Sequence, residues 1–417
     1  MEEKKISHLT RELKLKQIQF NSIFEFSESI YSSFQVDNII RIYFSTLMGQ
    51  LGISRIFFLD SENHIFEKKG FRASPDEQTI LSRNMKKLES PWFYSTVDEL
   101  PPQVDELTEL LKEKKIRYLV NISESDKKAA VLGLGAKFNQ KELTTENIEY
   151  AFFVSKFSRG AIENAILINR LIESKRMEHE LKIARDIQLS LLPQSVPTLK
   201  NFDISVIYEP TNEVGGDYYD ILKKRNNKEL PILIADVEGK GLPAALLAAS
   251  SQAIFHSLNE LYLFEPGKFI SKANTMICEF TRGNRFITLF WMLLDDDNQS
   301  VTYVNAGHVE PLFFSKNGLT RLSRGGFLAG FVEEAQYEKE TIKMAPGDLI
   351  VTFTDGVPEV ENKAGQDFGV DTMIEFIRTH RHLSADELTA SLFKTIKDFS
   401  QNQKFRDDFT LIVLKAK

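Results

Sequence analysis

Cysteine is nearly absent from this sequence of 417 residues, which contains Cys278 and no other. A single thiol excludes an internal disulfide, and it leaves no partner thiol with which to build a metal site. Cys278 follows Met276 and Ile277 within an apolar helical pattern. We therefore expect a buried, inert cysteine rather than a nucleophile or a metal ligand.

Long apolar runs and dense basic stretches are also missing. No segment approaches the roughly 20 apolar residues of a membrane-spanning helix, and the Lys- and Glu-rich N-terminus does not resemble a secretory signal. The formal net charge is −7, and no basic stretch is dense enough to neutralise a run of phosphates. We therefore expect a cytoplasmic protein that binds neither a membrane nor nucleic acid.

The length and composition predict more than one domain. With 417 residues, 42% of them hydrophobic, the chain can bury at least two cores. Changes of pattern along the sequence predict four parts. They are an N-terminal helix over 1–34, a mixed domain over 35–165, a helical linker over 166–194 and a second mixed domain over 195–417.

The N-terminal segment has apolar residues at alternating spacings of three and four, which predicts a helix. These residues are Ile6, Leu9, Leu13, Phe20, Ile23, Ile30 and Phe34. One interpretation is a coiled-coil seam, which would favour a homodimer. The other is an amphipathic helix that packs on its own domain.

The segment that follows predicts an antiparallel sheet flanked by helices. We expect helices over 37–52, 75–88 and 104–115, strands over 55–59, 64–71, 117–122 and 129–137, and a long helix capped by Thr144. This order resembles that of a GAF sensory domain over roughly residues 20–168. So do the motifs at Ile116–Val120, Val131–Gly133 and Ala161–Ala165.

A GAF-like domain implies either a bound small ligand, whose identity the sequence does not give, or a purely structural role. The region contains no cysteine, so a tetrapyrrole attached through a thioether is excluded. The Phe-rich segment over 20–71 is compatible with both roles, because such residues line a pocket or fill a core.

The linker contains no Gly or Pro between Ala161 and Leu192, and Pro193 follows. This predicts about 30 uninterrupted helical residues, or about 45 Å at 1.5 Å per residue. A flexible tether would be rich in Gly, Ser or Pro. Polar residues at seam positions, such as Ser174 and Gln188, indicate weak pairing that suits a helix able to change partners. The alternative is a passive spacer.

Beyond Pro197 the pattern is dominated by strands, which predicts an α+β domain with two sheets in a helix-covered sandwich. The expected strands are 204–208, 218–222, 231–235, 286–294, 300–305, 311–314, 349–353 and 409–415. The expected helices are 242–261, 265–280, 371–379 and 385–401.

Four acidic positions lie at the edges of these apolar runs: Asp217, Asp236, Asp355 and Asp407. Taken singly, Gly-Asp and Asp-Gly pairs are common turn formers. Taken together, they can meet at one end of a sheet and form an oxygen-lined site for hard divalent cations. The Gly239-Lys240-Gly241 loop lacks the spacing of a P-loop, so ATP binding is unsupported.

The C-terminal half resembles the SpoIIE and RsbU branch of the PPM-type metal-dependent serine/threonine phosphatases over residues 178–417. The resemblance lies in the runs 180–188, 191–193, 214–220, 235–245, 305–308, 346–348, 354–356 and 407–410. It implies an α/β/β/α sandwich that holds two Mn²⁺ or Mg²⁺ ions. The implied metal ligands are Asp217, Asp236, the Val237 carbonyl, Asp355 and Asp407, with Asp217, Asp236 and Asp355 as catalytic residues.

Three neighbouring positions leave alternatives open. Asp408 is adjacent to Asp407 and competes with it for the ligand role. His308 either protonates the leaving group or stabilises the turn in which it lies. Asp348 lies in a Pro-Gly-Asp turn and is expected to be structural.

The resemblance implies a signal-regulated phosphatase acting on a phosphorylated STAS-type anti-sigma-factor antagonist in a partner-switching pathway. The alternative is a catalytically inactive, ligand-sensing dimeric scaffold. Glu238, which replaces the small residue usual in relatives, and the weakly paired linker are its supports. All the implied carboxylates are present, so we expect an active enzyme.

Overall fold

The computed structural model describes residues 24, 26–28, 30, 33–62, 64–85, 87–88, 93–123, 130–222, 229–262 and 265–417. The chain divides into two compact units, Met1–Arg176 and Met177–Lys417. Most of the predicted N-terminal seam, from Ile6 to Ile23, lies outside the described residues. The four predicted domain limits are finer than this division and stay predictions.

The N-terminal unit contains an antiparallel sheet of five strands in the order β2-β1-β5-β4-β3. The strands are β1 Ile56–Asp60, β2 Ile65–Lys69, β3 Tyr94–Thr96, β4 Ile116–Asn121 and β5 Ala130–Gly135. Every residue of the adjacent strands β1 and β5 is buried, which fits strands covered on both faces. The three-residue β3 was not predicted, because it is too short and exposed to show an apolar pattern.

Helices cover both faces of this sheet. They are α1 Val36–Leu51, α2 Pro75–Met85, α3 Asp105–Glu113 and α4 Thr145–Leu191. Side chains alternate along a strand, so Phe58 packs in a core with α1 and α4, whereas Phe57 packs in a second core with α2 and α3. The Tyr43 hydroxyl of α1 donates a hydrogen bond to Ser155 of α4 at 2.6 Å.

Helix α4 runs without interruption for 47 residues, as the absence of Gly and Pro within the linker predicted. At its start, the Asn147 backbone N–H donates to Thr144 Oγ1 and the Asn147 side chain accepts from the Thr144 N–H. The buried Arg159 pairs with Asp60 at 2.9 Å and so fastens α4 to β1. The helix ends at Leu191, just before Pro193.

The C-terminal unit contains two sheets. One has the order β13-β10-β9-β8-β7, with β14 also paired to β10, and the other has the order β12-β11-β15-β16-β6. The strands are β6 Phe202–Glu209, β7 Tyr218–Ile221, β8 Glu229–Val237, β9 Ile287–Asp295, β10 Ser300–Ala306, β11 Leu312–Ser315, β12 Gly318–Arg321, β13 Gly325–Gly326, β14 Glu340–Lys343, β15 Leu349–Phe353 and β16 Phe409–Ala416.

Helices cover the outer face of each sheet, so the order of layers is α/β/β/α. Helices α5 Leu242–Tyr262 and α6 Pro266–Thr281 pack on the first sheet, and α7 Val370–His380 and α8 Ala385–Phe399 pack on the second. Between the sheets, Ile234 of β8 and Ile412 of β16 share one apolar core. The predicted α+β class with a helix-covered sandwich is confirmed.

Cys278 lies in α6 and is buried, as the sequence predicted. Its Sγ lies 3.7 Å from Asn274 Oδ1, within reach of a weak hydrogen bond. Burial raises the pKa of this thiol, which disfavours the reactive thiolate. Among the helices that the structure describes, none combines the length and the apolar character needed to cross a bilayer.

Candidate active site

The four acidic positions meet at one end of the two sheets. Asp217 immediately precedes β7 and Asp236 is the penultimate residue of β8, whereas Asp355 follows β15 and Asp407 lies just before β16. Asp236 therefore lies within a strand, opposite Thr288, and not after a strand end at Ala235 as the sequence predicted. Each sheet thus contributes two carboxylates from segments far apart in the chain.

The loops approach one another closely because glycine has no side chain. A Cβ on Gly356 would lie 2.0 Å from the backbone oxygen of Asp408, and a Cβ on Gly215 would lie 2.6 Å from Asp408 Oδ2. Any larger residue would push these segments apart. The glycines of the two acidic motifs therefore allow the carboxylates to share one site.

Asp408 binds backbone groups. Its Oδ1 accepts a hydrogen bond from the Thr211 N–H at 2.8 Å, and its Oδ2 accepts one from the Gly216 N–H at 2.6 Å. The side chain is buried and ties the loop before β7 to the start of β16. Asp407, in contrast, is about one-third exposed, with a side-chain relative accessibility of 36%.

Asp217 is buried and held by two threonine hydroxyls. Thr354 donates to its Oδ2 at 2.7 Å, and Thr410 donates to the same oxygen. Burial and the charge of Asp236 still raise the pKa of Asp217 well above its ordinary value. Sequence reasoning quoted both threonines within motifs but assigned them no role, because only the fold brings their hydroxyls to Asp217.

The positive charge around Asp236 and Asp355 is too small to keep the pKa values of these carboxyls in their ordinary range. Burial, followed by the charges of Asp355 and Asp407, raises the pKa of Asp236 to about 7. Burial and Asp407 raise the pKa of Asp355 as well. Clustered carboxylates that resist ionisation form a good environment for a cation, and an all-oxygen donor set suits Mg²⁺ or Mn²⁺.

Lys240 supplies positive charge to this cluster. Its Nζ lies 2.5 Å from Asp407 Oδ2 and donates to the Arg406 carbonyl at 3.0 Å. The charge of the ammonium offsets part of the rise in the pKa values of Asp236 and Asp355. Among the described residues, no group of three or more Asp, Glu, His or Cys side chains already has the arrangement needed to hold one metal ion. The carboxylate oxygens are ligands of the type that divalent cations prefer. In this arrangement the carboxylate of Asp407 is paired with Lys240.

The backbone beside Asp236 also faces the cluster. The Val237 carbonyl oxygen lies 3.1 Å from the place that a Cβ on Gly216 would occupy, so it points at the loop that carries Asp217. The Glu238 N–H donates to the Phe286 carbonyl, and Arg285 donates to the Glu238 carbonyl at 3.2 Å. These bonds fix the backbone on both sides of the turn that leads to Lys240.

His308 and Asp348 have bonds typical of structural residues. His308 is buried, its Nδ1 lies 2.9 Å from Thr288 Oγ1, and the Asn305 side chain accepts from its N–H. Burial lowers the pKa of His308 to about 4. The ring is therefore neutral at pH 7, and the imidazolium form that would act as a general acid is not populated. The Asp348 carboxylate accepts from the Ala345 N–H and closes its turn. The structural alternative is favoured for both.

Gln188, near the end of α4, forms two hydrogen bonds with Gly215. Its Nε2 donates to the Gly215 carbonyl at 2.8 Å, and its Oε1 accepts from the Gly215 N–H at 3.1 Å. Gly215 belongs to the loop that carries Asp217. The sequence marked Gln188 as a polar seam residue and as the end of the run 180–188 that resembles the family, but its spacing on the helix gives no indication of this partner.

Comparison with known proteins gives consistent results. The family model described as stage II sporulation protein E (SpoIIE) matches residues 226–417. The phosphoserine phosphatase RsbU of Bacillus subtilis is 31% identical over 245 residues, which cover 58% of this chain and 72% of RsbU. The phosphoserine phosphatase RsbP of Bacillus subtilis is 25% identical over 188 residues, which cover 43% of this chain and 45% of RsbP.

Among solved structures, the PP2C domain of SiaA from Pseudomonas aeruginosa matches with a TM-score of 0.52 at 20% identity. The match covers 58% of this chain and 98% of that domain, and it supports the fold of the C-terminal unit. The sequence match to RsbU, the match to the SpoIIE model and the α/β/β/α layers agree. The chain belongs to the SpoIIE and RsbU family of PP2C-type phosphatases and is a serine/threonine phosphatase.

Proposed function

We propose that the protein is a signal-regulated phosphatase whose site holds two divalent cations, Mn²⁺ or Mg²⁺. The ligands are the carboxylates of Asp217, Asp236, Asp355 and Asp407, together with the Val237 carbonyl. The supporting observation is that the four carboxylates come from separate segments into one partly buried cluster, where burial and neighbouring carboxylates raise the pKa values of Asp217, Asp236 and Asp355. Cations at the cluster would remove this repulsion.

Cations bound there would lower the pKa of a coordinated water and neutralise charge on a phosphate group. The protein's own residues prepare the site. Thr354 and Thr410 hold Asp217 in one orientation. Both carboxylate oxygens of Asp408 already accept hydrogen bonds from backbone N–H groups, which disfavours this residue as a metal ligand. These contacts favour Asp407 over Asp408 as the fourth carboxylate ligand.

We propose phosphoserine or phosphothreonine on a STAS-type anti-sigma-factor antagonist as the substrate, within a partner-switching pathway. The similarity to RsbU and RsbP, both named phosphoserine phosphatases, supports this class. A groove of about 1040 Å³ in the C-terminal unit reaches Gly241, next to Lys240. Leu181, Leu242 and Phe405 give it apolar walls that suit a protein rather than a free phosphorylated metabolite.

We further propose that the protein is a homodimer and that the GAF-like unit regulates the site through α4. The segment Asp186–Leu192 contains Gln188, whose two bonds to Gly215 connect the helix to the loop that carries Asp217. A change in the position of this segment would displace Gly215 and alter how Asp217 is presented to a cation.

The test measures Mn²⁺ binding by calorimetry and phosphate release from a phosphoserine protein of the STAS class. We compare the wild type with Asp236→Asn and Asp355→Asn, and we use Asp398→Asn, an exposed aspartate on α8, as the matched control. Loss of a ligand should cost more than the roughly 10–100-fold typical of residues that only support a ligand. Asp398→Asn should behave as the wild type in both measurements.

Undiminished Mn²⁺-dependent phosphate release by Asp236→Asn or Asp355→Asn would show that the assigned ligands are wrong. Absence of Mn²⁺ and Mg²⁺ binding to the wild type would instead favour the inactive scaffold. Release from a phosphoserine peptide but not from the STAS-class protein would retain the chemistry and reject the substrate.

A further inference from the structure

A polar cavity of about 1040 Å³ lies in the N-terminal unit, which does not contain the carboxylate site. Its walls come from four segments: the start of β1, the end of β3, the connection from α3 to β4, and the loop after β5. Bringing four distant segments to one cavity requires the folded sheet, so the cavity is a property of the tertiary structure. Its volume lies at the upper end of the roughly 300–1000 Å³ typical of small-molecule sites.

The cavity is positively charged although the chain as a whole is acidic. Its basic side chains are Arg55, Lys112, Lys115, Arg117 and Lys137, and its acidic side chains are Asp98 and Glu142. The formal charge of the whole sequence is −7. A local excess of cations in such a chain attracts anions of low molecular weight more strongly than the rest of the surface does.

Some of the basic groups are held in place by neighbouring protein groups. Arg55 donates from Nη1 to the Lys114 carbonyl at 2.7 Å, which leaves the other N–H groups of its fork for a further partner. Lys137 donates to Asn147 Oδ1 at 2.6 Å, and Lys112 pairs with Asp98 at 2.8 Å. These contacts order the wall before any ligand arrives and so reduce the entropy lost on binding.

Lys115 and Arg117 carry the unbalanced charge. Lys112 already pairs with Asp98 and lowers its pKa, to which the charge of Arg117 contributes less, and no acidic group lies within 4 Å of the Lys115 or Arg117 side-chain nitrogens among the described residues. Both side chains are exposed and line the same cavity. Two cations without a close carboxylate in one concave surface provide a site for an external anion.

The backbone gives a second indication. Lys115 has φ 55° and Gln140 has φ 59°, and both line the cavity. The left-handed region is unfavourable for a non-glycine residue, whereas glycine would adopt it freely. Long polar side chains at two such positions in one cavity suggest that the side chains themselves are used.

A second, apolar cavity in the described part of the same unit is much smaller. The apolar cavity lined by Phe57, Phe71 and Leu81 is too small to admit a water molecule. The aromatic residues of this segment that line it, Phe57 and Phe71, therefore fill a core and do not surround a ligand. Among the described residues of the unit, the basic cavity is the better candidate for a ligand site.

We propose that this cavity binds a small polyanion that carries two or more phosphate or carboxylate groups. Arg55, Lys115 and Arg117 would hold the anionic groups, since the two guanidinium groups bind such oxyanions in a bidentate manner and the Lys115 ammonium acts as a point charge. Phe138 lines the cavity with 72% of its surface exposed and offers an apolar face to an organic part of the ligand. The proposal concerns the N-terminal unit and is independent of the metal site.

The test is calorimetry on the full-length, metal-free protein in chelator-free buffer, with pyrophosphate and citrate as separate probes. We expect one molecule of at least one probe to bind per chain. Lys115→Gln with Arg117→Gln should weaken its binding by about 10-fold or more, because each lost charge-assisted bond is worth about 1.5–3 kcal/mol. Gln140 already occupies the left-handed region, so glutamine is tolerated at position 115.

The matched control replaces one Arg and one Lys that do not line the cavity, Arg72→Gln with Lys87→Gln, and should bind within two-fold of the wild type. Circular dichroism and the thermal unfolding midpoint should stay unchanged in both double variants, which shows that each is folded. Arg117→Gln alone provides a second, milder variant. Pyrophosphate binding alone assigns phosphate and citrate binding alone assigns carboxylate. Failure of both probes to bind, or equal weakening in variant and control, would overturn the proposal.

Discussion

The carboxylates of the candidate site need positive charge close to them, and the protein's own residues supply only part of it. Asp217, Asp236 and Asp355 all have pKa values raised mainly by burial and by one another. Lys240 and the hydroxyls of Thr354 and Thr410 act in the opposite direction but do not cancel the effect. Without cations, the site is therefore a source of instability that grows as the carboxylates ionise.

This reasoning predicts how the stability of the metal-free protein depends on pH. A carboxyl whose pKa is raised in the folded state stabilises the fold while it is protonated, and that contribution is lost as pH rises through the folded value. For Asp236 the change extends from near 4 to about 7. We therefore expect Asp236→Asn to unfold at a higher temperature than the wild type at pH 8 and at a similar temperature at pH 5.

Thermal unfolding of metal-free protein at both pH values measures this difference. A change of 1 kcal/mol moves the midpoint by about 2–4 °C in a domain of this size, so the effect is readily detected. Addition of Mn²⁺ at pH 8 should raise the midpoint of the wild type and leave that of Asp236→Asn nearly unchanged. A variant less stable than the metal-free wild type at pH 8 would contradict the proposed repulsion.

At the same scale, the sequence revealed the acidic residues but not what surrounds them. Resemblance to a family named Asp217, Asp236, Asp355 and Asp407 through motifs that are contiguous in the chain. The groups that support these carboxylates could not be identified in this way. Thr410, whose hydroxyl donates to Asp217, is 193 positions away from it in the sequence. Spacing along a chain contains no information about such a contact, and the same holds for Lys240 and Asp407.

At the scale of secondary structure, apolar runs predicted the long strands within about two residues. The buried strand over 349–353 was predicted with its observed limits, since four of its five residues are apolar and Asp355 follows. The short strands β12, β13 and β14 were missed, because they are largely exposed and exist through pairing with β11 or β10. Pairing of that kind is a tertiary property, as is the extension of β8 through Asp236.

The end of α4 gives the second prediction, which concerns Gln188. Replacing it by Ala removes both hydrogen bonds to Gly215 and frees the loop that carries Asp217. Two neutral hydrogen bonds are worth about 1–3 kcal/mol together, so we expect Mn²⁺ affinity to fall by roughly 5–100-fold. Calorimetry with Mn²⁺ and phosphate release at saturating Mn²⁺ separate weaker binding from slower chemistry.

Gln194 provides the matched control, since its amide also donates to backbone carbonyls near the helix end but does not contact Gly215. Gln194→Ala should retain wild-type Mn²⁺ affinity. If Gln188→Ala also retained it, the end of α4 would be only a packing element and the regulatory proposal would lose its contact with the site.

At the scale of the whole molecule, the chain combines an N-terminal unit, for which we propose a regulatory role, with a phosphatase unit, and α4 contains residues of both. From Asn169 to Glu180 every residue of this helix is exposed. The stretch therefore contributes little to either core, and its length can be changed without creating a cavity. An uninterrupted helix also transmits rotation, which a flexible tether would not.

Insertions after Ser174 test whether rotation matters. One added residue turns the rest of the helix by about 100°, whereas seven added residues make nearly two full turns and restore its face to within about 20°. We expect the one-residue insertion to change the Mn²⁺-dependent phosphatase rate and the seven-residue insertion to stay within about two-fold of the wild type, because only the first turns the N-terminal unit about the helix axis relative to Gln188. Equal rates in both insertions and the wild type would show that α4 is a passive spacer, and equal losses in both would show that its length, and not its rotation, sets the activity.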